Sequence, residues 1–190
     1  MKFRLFSREP HLTVSVVLGD ITRRRVDVIV NAADDSMLGG TGVDGAIRIA
    51  GGPRMSEACW EVGRLNGKAV ITPGFDLPAL WVIHVAAPVW VSGMQADLLA
   101  ETYTQCIAVA QGIDAEVLAF PLLGAGAFGW DAMDSALAAQ TAIRKARKKG
   151  HLQHVQMVAF SQHDASVLEE VFNVPSEITD EPRVYHIGAL

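Results

Sequence analysis

The chain has 190 residues, half of them hydrophobic and 19% charged, with a formal net charge of −5 and a pI near 5.6. That composition fits one soluble globular domain with a core large enough to be stable alone. The acidic balance argues against broad nucleic-acid binding, which calls for a basic face, but leaves small anionic ligands open, because backbone N–H groups hold phosphates without net positive charge.

Strand-like and helix-like segments alternate along the chain. Residues 14–18 are β-branched and apolar, and Gly19-Asp20-Ile21-Thr22 ends them. Residues 26–31 form a second short β-rich run, followed by a loop of small residues and a helical turn or two over 43–50. Pro53 suits the first position of a helix running to about Leu65, with Gly67 just past its end. Residues 69–72 and 80–86 read as strands, and 95–111 carry Leu98, Leu99, Thr102, Cys106 and Val109 at helical spacing.

Residues 117–123 are nearly all apolar, as a strand buried on both faces would be. Asp131 can cap a helix that closes on Arg144, Lys145, Arg147, Lys148, Lys149 and Gly150, which fits the helix dipole and a glycine C-cap. Residues 155–160 read as a strand and 164–172 as a last short helix; the tail from Pro175 has no clear period. The alternation predicts a single α/β domain with helices on both faces of a sheet.

The charged residues Lys2, Arg4, Arg8 and Glu9 break any apolar stretch at the N-terminus, so no signal peptide is expected there. No run of about 18 apolar residues suggests a membrane span. Cys59 and Cys106 read as reduced, partly buried thiols of a cytoplasmic protein. His84 in its apolar strand reads as a hydrogen-bonded core histidine, His151, His154 and His163 lack ligand spacing, and no metal or cofactor is expected.

Two glycine-rich loops carry the strongest chemical signal. Gly39-Gly40-Thr41-Gly42-Val43-Asp44-Gly45 leads into a helix, and Gly124-Ala125-Gly126-Ala127-Phe128-Gly129 follows the apolar strand. Glycine lets the backbone come close to a phosphate, and a helix N-terminus adds N–H donors and a favourable dipole. Both loops match G-x-G-x-x-G, but the dinucleotide fingerprint needs its first Gly directly after a strand and an acid about 20 residues later at a strand end. Here Glu57 and Glu61 lie on a helix and the second loop is followed by a basic stretch.

Residues 17–22 (Val-Leu-Gly-Asp-Ile-Thr), 26–33 (Val-Asp-Val-Ile-Val-Asn-Ala-Ala) and 38–46, then 67–72, 80–85 and 120–129, resemble in order the motifs of the macrodomain family, particularly the MacroD-type ADP-ribosyl hydrolases. The likeness spans about residues 14–172, and it divides the chain into an extension (1–13), a macrodomain (14–174) and a tail (175–190). It implies a three-layer α/β/α fold around a mixed sheet that binds ADP-ribose, free or on a protein. By this resemblance Asp20 and the Ile21 N–H would hold the adenine and Phe160 would pack on its face. Gly42, Val43, Gly124, Ala125, Gly126, Ala127 and Phe128 would surround the diphosphate and distal ribose, and Asn31 and Asp44 would reach the ribose hydroxyls.

The implied chemistry is hydrolysis at the distal ribose, of O-acetyl-ADP-ribose or of ADP-ribose on acidic side chains, with Asp44 and Asp34 as the catalytic residues: Asp44 would orient or deprotonate the water and Asp34 would accept from a ribose hydroxyl. Two positions depart from the family pattern: Asp34 stands where an Asn is common, and Arg48 where the MacroD pattern has His. A carboxylate at Asp34 close to Asp44 predicts a raised pKa for one of the pair. Asp44 alone also reads as a helix N-cap and Asp34 as a solvated loop acid. The departures leave a catalytically silent ADP-ribose reader as the alternative to a hydrolase.

Overall fold

The computed structural model describes residues 12–92, 96–146 and 150–178. Seven strands form one mixed sheet: β1 (Thr13–Leu18), β2 (Val28–Ala32), β3 (Val70–Pro73), β4 (Trp81–Val85), β5 (Val117–Phe120), β6 (His154–Ala159) and β7 (Ser176–Ile178). Their order is β3-β4-β2-β5-β6-β1-β7, parallel throughout except for β3, which runs antiparallel to β4. Five helices join them: α1 (Gly42–Gly51), α2 (Pro53–Val62), α3 (Asp97–Gly112), α4 (Ala132–Lys145) and α5 (Gln162–Phe172).

Side chains alternate between the two faces of each strand, and this sorts the core in two. Val16, Val28, Val30, Ile83, Val85, Leu118 and Phe120 meet α3, α4 and α5 through Leu99, Tyr103, Ala139 and Leu168. Val17, Ile29, Val82, Ala119 and Val158 face α1 and α2 through Ile47, Met55 and Cys59. The fold is therefore the three-layer α/β/α arrangement with a mixed sheet. Among the described residues no helix is long and apolar enough to cross a membrane.

Several element ends differ from the sequence expectation for local reasons. Helix α2 stops at Val62 because Gly63 takes φ +69° and closes the C-terminus by donating to the Cys59 and Trp60 carbonyls; Gly67, at φ +72°, serves a later turn. Strand β5 ends at Phe120 rather than residue 123, since Pro121 has no N–H for the ladder. The expected tail supplies β7, three residues paired in parallel with β1. Asp131 caps α4 as expected, accepting from the Met133 N–H at 2.8 Å. The expected start of α3 at Gln95 and the basic residues Arg147–Lys149 lie outside the described residues.

Candidate active site

The neighbouring strands β2, β5, β6 and β1 run in parallel, so the loops at their carboxyl ends share one edge of the sheet. Ligands bind at such an edge in open α/β sheets. A cavity of about 300 Å³ opens there. It is walled by Asp20 and Ile21 after β1, Gly42, Val43 and Ile49 of α1, and Phe160 after β6. Asp20 is only 3% exposed, and its Oδ1 accepts from the Thr22 N–H at 2.9 Å and the Thr22 hydroxyl at 2.7 Å. This pins a carboxylate at the mouth of an otherwise apolar cavity. Phe160 is 54% exposed, an uncovered ring beside that carboxylate.

Helix α1 starts at the same place. Thr41 occupies its N-cap but makes no side-chain cap hydrogen bond, so the first-turn N–H groups keep no side-chain acceptor there. Gly42 takes φ +63° at the first helical position, a conformation that L side chains rarely adopt.

Behind the first turn lies a buried polar group. Asp44 is 2% exposed, and Asn31 donates from Nδ2 to its Oδ1 at 2.7 Å. Arg48, one helical turn on, places Nε 3.2 Å from both Asp44 oxygens and donates from Nη2 to the Met37 carbonyl at 3.0 Å. The cation offsets the desolvation of the carboxylate and ties the loop before α1 to the helix. Asn31 and His84 are directly paired in the β2–β4 register, and Asn31 Nδ2 lies 3.0 Å from His84 Nδ1. His84 Nε2 is 2.8 Å from the Thr72 hydroxyl. Burial, with the Arg48 cation adding to it, pushes the His84 imidazole down to about 3.

The second glycine loop is held from below. Ser135 of α4 donates to the Leu123 carbonyl at 2.7 Å and contacts the Tyr103 hydroxyl of α3 at 2.8 Å, and Tyr103 accepts the Leu123 N–H at 2.8 Å. Gly124, at φ +79°, packs so closely on Trp130 that a Cβ would stand 2.6 Å from the indole Cδ1. Trp130 in turn donates to the Pro88 carbonyl at 2.6 Å.

The Macro domain family model matches residues 30–142 of the 190. This chain is a macrodomain. It is 41% identical over 168 residues to a macro domain-containing protein of Ralstonia nicotianae, covering 86% of this chain and 96% of that protein. It is 41% identical over 160 residues to a Klebsiella pneumoniae protein named O-acetyl-ADP-ribose deacetylase, covering 80% of this chain and 91% of the relative. Among solved structures, the Oceanobacillus iheyensis macrodomain with ADP superposes with a TM-score of 0.80 at 34% identity, covering 87% and 92% of the two chains. A Trypanosoma brucei macrodomain in complex with ADP-ribose gives 0.78 at 28% identity, covering 84% and 68%.

Within this macrodomain the cavity brings together Asp20, Ile21, Gly42, Val43 and Phe160. Asn31 and Asp44 meet behind it. Gly124 to Phe128 follow β5 on the same sheet edge but do not line the cavity, which reaches that strand's exit only at Pro121. Two expectations need correction. Asp44 is no N-cap: it sits two residues inside α1 with its carboxylate turned to Asn31 and Arg48. Asp34 is exposed and accepts from the Ser36 N–H at 2.8 Å; hydrogen bonds from the Ser36 hydroxyl and N–H hold its carboxyl below the usual range, so Asp34 is not the member of the pair with a raised pKa.

Sequence reasoning placed His84 in the core but missed its link to Asn31, and treated Arg48 only as a departure. A carboxylate and an Arg four apart on one helix is a readable signal for an ion pair; here the pair is buried, with side chains 9% and 3% exposed.

Proposed function

We propose that this macrodomain binds ADP-ribose and hydrolyses an ester on its distal ribose, with O-acetyl-ADP-ribose as one substrate and ADP-ribosyl esters of protein Asp or Glu side chains as others of the same bond class. One observation carries the reading: Gly42 and Val43 line the cavity while the next residue of α1, Asp44, joins the buried Asn31. In this reading adenine fills the cavity, its amino group donating to the Asp20 carboxylate and its face lying on Phe160. The diphosphate lies over the N-terminus of α1, where N–H donors and the dipole favour anions, with the N–H groups of residues 124–128 on its other side. The ribose end then reaches Asn31 and Asp44.

An ester needs water delivered to its carbonyl carbon. An ionised carboxylate has about four lone-pair sites, so Asp44, already accepting from Asn31 and Arg48, can still take a hydrogen bond from a water. It accepts the water's proton as the carbon–oxygen bond forms. The acyl–oxygen bond then breaks, releasing acetate or the protein carboxyl group, and the ribose oxygen takes up the proton. Asp34 accepts a hydrogen bond from a ribose hydroxyl at the loop. The deacetylase names of relatives at about 40% identity favour turnover over a silent reader.

The test is incubation with O-acetyl-ADP-ribose, following ADP-ribose and acetate by chromatography, beside calorimetry with ADP-ribose. Release that Asp44→Ala abolishes supports the reading. Binding without release makes the protein a reader, and absence of binding removes the proposal.

A further inference from the structure

The buried chain Arg48–Asp44–Asn31–His84–Thr72 can be given a direction from hydrogen-bond chemistry alone. Asp44 carries the Arg48 Nε across both of its oxygens, which fits the ionised, acceptor-only form. The Asn31 atom 2.7 Å from Asp44 Oδ1 must then be the NH2 group, because the amide oxygen would meet a carboxylate oxygen. The same NH2 lies 3.0 Å from His84 Nδ1 and has one hydrogen left for it. That bond forms only when Nδ1 carries no proton, so the imidazole is the Nε2–H tautomer. Nε2 then donates to Thr72 Oγ1 at 2.8 Å, and the Thr72 hydroxyl proton is directed at the Met55 sulfur, 3.8 Å away.

From Asn31 to Thr72 each hydrogen has one acceptor, and one polar atom of the Asn31 amide is left over. Asn31 Oδ1 is fully buried and has no hydrogen-bond partner among the described residues. A buried amide oxygen without a hydrogen bond is costly and calls for an explanation; behind the cavity and beside Asp44, an acceptor held for an incoming ligand donor supplies one. From this we infer that His84 is a positioning residue: by accepting from the Asn31 amide, it fixes Asn31 Oδ1 as the acceptor for a hydroxyl of the bound ligand beside Asp44. The inference rests on the proposed ADP-ribose reading for the identity of that hydroxyl, which belongs to the distal ribose. Free ADP lacks that ribose.

The experiment has two arms. Imidazole nitrogen and carbon shifts of ligand-free protein report the His84 tautomer; Nε2–H is expected, and Nδ1–H overturns the inference whatever the protein binds. Calorimetry with ADP-ribose and with ADP is then run on wild type, His84→Leu and His84→Asn. The asparagine keeps an acceptor near the Nδ1 position and leucine does not. We expect His84→Leu to lose roughly tenfold in affinity for ADP-ribose, the scale of one hydrogen bond, with ADP unchanged, and His84→Asn to restore it.

Equal losses for both nucleotides mean a general structural role and overturn the inference, as does leucine binding ADP-ribose like wild type. If leucine does not fold, His84→Asn decides: a tautomer-dependent acceptor predicts a retained preference for ADP-ribose over ADP, and its loss counts against the idea. Wild type that binds neither nucleotide removes the functional reading instead, and the tautomer alone then decides the part of His84.

Discussion

Arg48 spans the Asp44 carboxylate, with Nε 3.2 Å from each oxygen, although both side chains are almost wholly withdrawn from water. Removing one member of a buried ion pair leaves the other charge uncompensated, which typically costs about 3–5 kcal/mol. Arg48→Ala should therefore lower unfolding stability by about 3 kcal/mol in a urea titration. The double variant with Asp44→Ala should recover part of that loss. If the single variant melts like wild type, the pair does not hold the helix start.

Phe160 separates binding from stability. Its ring is 54% exposed, so Phe160→Ala removes little from the core. Stacking of a base on an aromatic ring is worth about 1–3 kcal/mol. Calorimetry should show ADP-ribose affinity down by tenfold or more with the melting temperature nearly constant. A large thermal loss with intact binding would reverse the assignment.

His84 sets a pH dependence of folding. Its folded pKa is depressed to about 3 from an ordinary 6.5. Below 6.5 the unfolded chain takes up a proton that the folded chain refuses, so the contribution is complete above 6.5 and is lost as pH falls towards 3. The slope approaches about 1.4 kcal/mol per pH unit. Between pH 7 and 5, wild type should lose about 2 kcal/mol more than His84→Asn in denaturant titrations. Parallel pH profiles would show that the folded imidazole takes up its proton as readily as the unfolded one.

Gly124 tests the second loop. At φ +79° an alanine is strained, and its Cβ would meet the Trp130 ring at 2.6 Å. Gly124→Ala should cost about 2 kcal/mol or more and weaken ADP-ribose binding, because the loop has to move off Trp130. Unchanged stability would mean the indole can step aside.

Asp34→Asn keeps an oxygen for the Ser36 N–H now bonded at 2.8 Å, so thermal stability should hold. The substitution removes a negative charge from the loop before α1 and adds a donor. A diphosphate ligand should bind several-fold more tightly, and turnover of O-acetyl-ADP-ribose should rise. Equal rates would leave Asp34 as a loop acid outside the reaction.

Much of this was legible in sequence because it is local. The acid at Asp131 before a helical stretch, the glycines before Asp44 and the aromatic at the end of β6 each carry their own signal. Gly63 against Gly67 was not decidable that way: both adopt positive φ, and which one ends α2 depends on how the chain continues to Leu65, whose N–H bonds the Asp35 carbonyl. β7 is too short to show a period. The Asn31–His84 bond joins residues 53 positions apart and exists only through the β2–β4 register. Asp34 reads from sequence either as a solvated loop acid or as a carboxylate close to Asp44, and the choice depends on the Ser36 turn that satisfies its side chain locally.

Strand β1 bonds only to late partners, Thr13 lying opposite His154 and Val16 opposite Ser176. On the ribosome β1, the first of the described strands, must therefore wait for its sheet partners until residue 154 and beyond has emerged. Asp20 follows that strand and Phe160 follows its partner, so the proposed base-binding end is the last part to be assembled. On the proposed reading, nascent chains released before residue 154 would lack β6 and Phe160 and should hold no nucleotide, whatever the state of the rest.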